Sequence, residues 1–194
     1  MEIKKIRSIC VFCASSQSVE SVYRDTATDL GRRIGRLGID LIYGGASIGL
    51  MGCVARGVHE EGGKVVGVLP EFFRVKDIPY EDADQLIVTR DMRERKAIMD
   101  QRADAFITLP GGIGTLEEAM EILSMKQLKL TDKALVFINT NHFYDGLISN
   151  LREMVDLKFA KKESLALFAV KPDPQGALDY ILSYEPPKLS SKWF

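Results

Sequence analysis

Short apolar runs alternate with longer amphipathic stretches along the chain. Ile9–Phe12, Ile39–Tyr43, Lys64–Leu69, Gln85–Thr89, Asp104–Leu109, Lys133–Ile138 and Leu165–Val170 read as strands. Most are apolar with little interruption, as strands buried on both faces are. Between them apolar residues return at spacings of three and four, the helical period. Helices are predicted from about Ser18 to Leu37, over Leu50–Glu61, from the cap Asp91 to about Arg102, and over Thr115–Leu128, Tyr144–Lys158 and Pro174–Tyr184. In the first, Tyr23, Ala27, Leu30, Ile34 and Leu37 mark the inner stripe, and Gly38 stands where a terminating glycine belongs. Gly44–Gly49 and Pro110–Gly114 are turns. Pro70–Ala83 is polar, irregular and long for a connection, as expected of a segment that covers a site. One domain is expected over residues 1–185, with Pro186 and Pro187 opening an extended arm over residues 186–194.

Strands separated by helices imply βαβ units. The expected fold is α/β, a three-layer, Rossmann-like parallel sheet flanked by helices. Right-handed crossovers place the loops that follow strands along one sheet edge, where such folds bind ligands. Ala14–Ser16, Gly44–Gly49 and Pro110–Gly114 all follow strands. Three loops rich in glycine, serine and alanine therefore converge on one edge.

Charge narrows the ligand. Among 194 residues, 26 Lys and Arg face 27 Asp and Glu, a net charge of −1. A protein that coats nucleic acid is usually basic, so no polymer is expected, although a local anion site is compatible with this balance. Cys10, Cys13 and Cys53 are odd in number, which fits a reducing cytoplasm better than a disulfide framework. Met1–Ile6 leads into no long apolar segment, and no apolar run approaches the ~18 residues of a membrane span.

The first glycine loop runs Tyr43-Gly44-Gly45-Ala46-Ser47-Ile48-Gly49-Leu50-Met51-Gly52. Small residues let main-chain N–H groups approach an anion at a helix start. The plainer reading is a tight strand-to-helix turn. No Gly-Lys-Ser/Thr follows, and the spacing is not G-x-G-x-x-G, so neither common nucleotide fingerprint is present. Gly45-Ala46-Ser47-Ile48-Gly49 matches the G-x-S-x-G elbow of serine hydrolases. Its partners would have to come from His59, which lies on the same helix, or from His142 with Asp132. The second loop, Pro110-Gly111-Gly112-Ile113-Gly114-Thr115, suits a phosphate, and Glu118 follows on the first turn of the helix. Acidic residues there also suit the helix dipole. Arg95 and Lys96 stand about 100° apart on a helix start, so both can address one ligand. Cys10 and Cys13 are spaced C-x-x-C, but on a strand their odd offset aims them at opposite faces, and no metal site is expected.

Together these motifs resemble the LOG (Lonely Guy) family, once broadly labelled possible lysine decarboxylase. The pattern P-G-G-x-G-T-x-x-E is complete as Pro110 to Glu118. G-G-G-x-x-G-L-M-G appears as Gly44 to Gly52, with Ala46 for the third glycine. Val11-Phe12-Cys13-Ala14-Ser15-Ser16 is similar to V-F-C-G-S-S, and Met92-Arg93-Glu94-Arg95-Lys96 supplies M-x-x-R-K. The resemblance spans about residues 8–158. It implies a phosphoribohydrolase that splits an N6-substituted adenosine monophosphate, or AMP, into base and ribose 5-phosphate, without a cofactor. It implies Arg95 and Glu118 as catalytic residues. It also implies substrate contacts from Ser15, Gly44, Gly45, Asp77, Met92, Lys96, Pro110, Gly111, Gly112, Gly114, Thr115 and Ser124, and a homodimer or larger assembly. A carrier that holds a phosphorylated cofactor without hydrolysis is the competing reading, since related folds carry the molybdenum cofactor. Decarboxylation would need pyridoxal phosphate, and no lysine of the sequence stands out as its partner.

Overall fold

The computed structural model describes residues 6–75 and 78–187. Its strands are β1 (Ser8–Phe12), β2 (Asp40–Tyr43), β3 (Val65–Pro70), β4 (Gln85–Thr89), β5 (Ala105–Thr108), β6 (Ala134–Ile138) and β7 (Ala169–Lys171). All pair in parallel in the order β4-β3-β2-β1-β5-β6-β7. The helices among the described residues are α1 (Ser21–Arg36), α2 (Gly49–Glu60), α3 (Met92–Arg102), α4 (Ile113–Gln127), α5 (Asp145–Asp156) and α6 (Pro174–Leu182).

Alternation along each strand divides the core in two. Ile9, Val11, Leu41, Tyr43, Ile107 and Val136 face α1, α2 and α6. Cys10, Phe12, Ile42, Val66, Phe106 and Phe137 face α3, α4 and α5. Both faces are covered, which is why the strands carry apolar runs rather than strict alternation. The expected three-layer architecture is therefore the observed one.

Differences from the sequence expectation lie at element ends. α1 begins at Ser21 rather than Ser18, because Glu20 is extended at the cap position. α4 begins at Ile113, so Gly114 lies inside the helix rather than in the turn. The strand expected over Leu165–Val170 is shifted: Lys162–Ala166 forms a 3₁₀ turn, and β7 starts only at Ala169. A short apolar run does not by itself distinguish a strand from a packed turn. The expected arm falls mostly on residues 188–194, outside the described residues.

Candidate active site

The strand order reverses between β1 and β5, and folds of this class bind ligands outside the carboxyl ends of the strands at such a reversal. Main-chain hydrogen bonds tie three loops together there. Leu109 N–H donates to the Phe12 carbonyl at 2.9 Å, Ala14 N–H to that of Pro110 at 3.3 Å, and Leu50 N–H to that of Ala14 at 2.9 Å. The loop of Ser15 thus links the loop of Gly44 and Gly45 to the loop of Pro110, Gly111 and Gly112. The long connection after β3 packs on the first of these. Ser47 N–H donates to Ile78 O at 2.8 Å and Tyr80 N–H to Gly45 O at 2.9 Å.

The N-termini of α2 and α4 open onto this edge. Their cap residues, Ile48 and Gly112, make no side-chain cap bond. Asp91, in contrast, caps α3 by accepting from the N–H groups of Arg93 and Glu94. First-turn amides not consumed by a cap carry partial positive charge and are ready anion donors; in α2 one of them, Leu50 N–H, is already taken by Ala14 O. Thr115 is buried against Gly111, and its side chain fills the space a Cβ at Gly111 would need. Gly112 and Gly114 are exposed beside it.

Arg95 and Glu118 meet below these loops. Arg95 is 6% exposed and Glu118 8%. The guanidinium donates from Nη1 to Glu118 Oε1 at 2.5 Å and from Nε to the Val68 carbonyl at 3.0 Å. Gly44 makes room for it, since a Cβ there would stand 2.2 Å from Nη2 of Arg95. Burial pushes the Glu118 carboxyl above the ordinary carboxylate range, and the Arg95 charge opposes this without cancelling it. Lys96 turns instead to α4, with Nζ 2.5 Å from Glu117 Oε1 and 3.0 Å from Glu121 Oε2. Burial alone would lower its ammonium, but the two carboxylates outweigh that and raise it. Lys96 and Glu118 line a groove of about 400 Å³ with Phe12, Asp100, Ile122 and Met125.

The remaining expected contacts separate. Met92 stands half-exposed at the start of α3. Ser124 lies six residues beyond Glu118, ~9 Å along α4 and on another face of it. Asp77 lies outside the described residues. The structure adds groups the sequence reading did not single out. Val68 acts through its carbonyl, which no side-chain motif reveals. Tyr144, fully buried, donates its hydroxyl to Leu109 O at 2.7 Å and steadies the Pro110 loop. A tyrosine at the start of a helix looks like ordinary apolar filling.

The competing constellations come apart. Both ring nitrogens of His59 are engaged, with Tyr80 Oη at 2.9 Å and Asp84 Oδ2 at 3.1 Å. Asp132 and His142 lie beyond opposite ends of β6, so they cannot form the pair an elbow at Ser47 requires. Cys10 and Cys13 face opposite sides of the sheet, and burial raises both thiols, which keeps them protonated.

Comparison with known proteins gives concordant results. The model of a family described as "Possible lysine decarboxylase" matches residues 51–181. A cytokinin riboside 5′-monophosphate phosphoribohydrolase of Arabidopsis thaliana, LOG5, is 40% identical over 188 residues, 96% of this chain and 82% of its own length. A probable enzyme of the same name from Oryza sativa subsp. japonica, LOGL6, is 38% identical over 94% of this chain and 73% of its own. Among solved structures, the molybdenum cofactor binding protein of Rippkaea orientalis is similar, with a TM-score of 0.71 and 22% identity. That alignment covers 93% of this chain and 98% of the other. At this identity the likeness shows the fold alone.

Proposed function

The chain belongs to the LOG family, and from that premise we propose that it hydrolyses the N-glycosidic bond of an adenosine 5′-monophosphate, N6-substituted or plain. Water adds its hydroxyl to ribose C1′, its proton goes to the departing base, and ribose 5-phosphate is the second product. The observation that carries this reading is the buried Arg95–Glu118 pair beneath two uncapped helix N-termini. An oxocarbenium-like transition state places positive charge on the ribose, and a carboxylate beside it is the group that stabilises such charge. Glu118 faces the ribose and orients the attacking water. Its raised carboxyl brings it nearer the proton affinity a general base needs at neutral pH. Arg95 holds Glu118 in place and steadies charge on the leaving base. The amides of residues 113–115, the Thr115 hydroxyl and the Gly44–Gly45 turn receive the 5′-phosphate, with Pro110, Gly111, Gly112 and Gly114 shaping the loop. Ser15, Met92, Lys96 and Asp77 complete the substrate contacts by resemblance, while Ser124 stands on another face of α4 from Glu118.

Chromatography of base released from AMP and from its N6-isopentenyl derivative tests this. Glu118→Ala is expected to lose two to four orders of magnitude in kcat, on the order of 10²–10⁴ for a general base. Base release by that variant at the wild-type rate would sink the assignment. The carrier reading rests on fold likeness, and simple carriage gives the buried Arg95–Glu118 pair no task. The decarboxylase label has a lysine to consider, Lys126, whose ammonium burial pushes down to about 8. It donates to Lys133 O and Tyr184 Oη at the amino end of the sheet, away from the phosphate loops.

The protein acts as a cytoplasmic homodimer in this reading. No helix among the described residues is long and apolar enough to cross a membrane. Met120 and Leu123 of α4 are partly buried against their own core, whereas Leu128 just past its end is exposed. The apolar positions of α5 fit a partner better, because no residue of that amphipathic helix is buried within the chain.

A further inference from the structure

A second cavity, of about 360 Å³, lies at the amino end of the sheet, where α4 ends and β6 begins. Lys126 forms part of its wall and is only 2% exposed. Eight residues, ~12 Å of helix, separate Lys126 from Glu118, so this cavity is distinct from the candidate active site. The ammonium donates to the Lys133 carbonyl and, at 2.9 Å, to Tyr184 Oη. No carboxylate bonds to it among the described residues. Asp132 acts on it only at a distance, and burial prevails, pushing the ammonium down to about 8. A charge taken out of water is normally paired, because its desolvation is otherwise poorly compensated. Lys126 is thus a buried cation, beside a cavity, that lacks its anion.

The other walls define that anion. The chain leaves α4 through Lys129, whose φ of 61° is the left-handed backbone that glycine adopts most readily. Leu130 N–H then turns back to Met125 O at 2.9 Å. This reversal brings Lys129 and Asp132 to the cavity. Among the lining residues two lysines stand against one aspartate, a balance that suits a monoanion better than a phosphate dianion. Tyr184 stays neutral, since burial raises its phenol to about 12. Its oxygen accepts from Lys126, so its own hydrogen is left to donate, and ammonium and phenol can serve one carboxylate together. Leu167, Pro186 and Pro187 add apolar wall, against which a hydrocarbon body leaves water. The volume falls at the small end of the ~300–1,000 Å³ range of ligand pockets.

We propose that this cavity is a second ligand site, which takes a small monocarboxylic acid with an apolar body. The carboxylate pairs with Lys126 and Tyr184, and the body lies on Leu167 and the two prolines. The proposal does not depend on the hydrolase reading. Calorimetry on the full chain at neutral pH, with 3-phenylpropionate and with the uncharged 3-phenylpropanol, tests it. The wild type is expected to bind the acid saturably and the alcohol about tenfold or more weakly, the worth of a hydrogen bond to a charged group. Lys126→Met keeps a long side chain and removes the buried charge. It is expected to weaken the acid by about the same factor, and Lys129→Met by less. A footprint on the wild type needs no variant: the amide resonances of Leu130, Thr131 and Leu167 should move as 3-phenylpropionate is added, while those of Gly44 and Gly112 stay. No saturable binding of the acid, equal binding of acid and alcohol, or wild-type affinity in folded Lys126→Met would overturn the site. Movement at Gly44 and Gly112 without movement at Leu130 and Leu167 would also overturn it, by placing the acid at the phosphate loops.

Discussion

At Gly44 the absence of a side chain has a specific consequence. A methyl group there would stand 2.2 Å from the Arg95 guanidinium and 2.9 Å from Met51 Sδ. Gly44→Ala should displace the guanidinium without unfolding the chain. Misplacing a catalytic group by about 1 Å costs ~10² in rate. We expect kcat/KM to fall by roughly that factor, with Tm shifted by only a few degrees, checked by base release and by calorimetry on the same sample. The Glu118 carboxyl gives the pH behaviour. Its folded value is raised by burial, so the ionised form that acts on water is populated only as pH climbs through that raised value. A pH profile of kcat/KM should therefore show an acid limb with its inflection above the ordinary carboxylate range, and Glu118→Gln should abolish the limb. The motif P-G-G-x-G-T-x-x-E made Glu118 visible in the sequence, and M-x-x-R-K did so for Arg95. Their contact, and the reason for Gly44, join residues dozens of positions apart, which no local spacing encodes.

α1 and α2 cross at glycines rather than at large side chains. A Cβ on Gly31 would stand 2.2 Å from the Val54 carbonyl, and one on Gly57 2.6 Å from that of Thr28. Backbone cannot yield as a side chain can. Gly31→Ala is expected to destabilise the fold by about 1–3 kcal/mol, the usual range for overpacking. Urea denaturation should report that loss, while folded Gly31→Ala protein retains its turnover, because this crossing is remote from the Arg95–Glu118 pair. Element positions were largely legible, since buried parallel strands and amphipathic helices each carry their own period. Their ends were less so. Ser18–Glu20 and Leu165–Leu167 have apolar or capping character that fits more than one local structure, and hydrogen bonding in the folded chain chose between them.

For the whole molecule, the exposed apolar positions of α5 carry the dimer proposal. Met154 is 38% exposed, and Leu157, the residue that ends the helix, 61%. Met154→Glu should move the protein toward monomer in light scattering, since a charge at a packed subunit contact is costly to desolvate. Unchanged mass would move the contact elsewhere. The near-balance of charge, −1 overall, spoke against a polymer partner and said little about a mononucleotide. A dianion can be held by helix amides and one or two inward cations without changing the sum. By itself the sequence determined the α/β class, the parallel sheet and the loops that meet its edge, because periodicity and glycine turns are local properties of the chain. Tertiary structure alone decided the strand order, the turning of Arg95 onto Glu118 and Val68 while Lys96 pairs outward, and the burial of Lys126 against Lys133 and Tyr184. Each of these depends on which distant segments come to share one edge. That is settled by burying both faces of the sheet at once, not by any segment's own pattern.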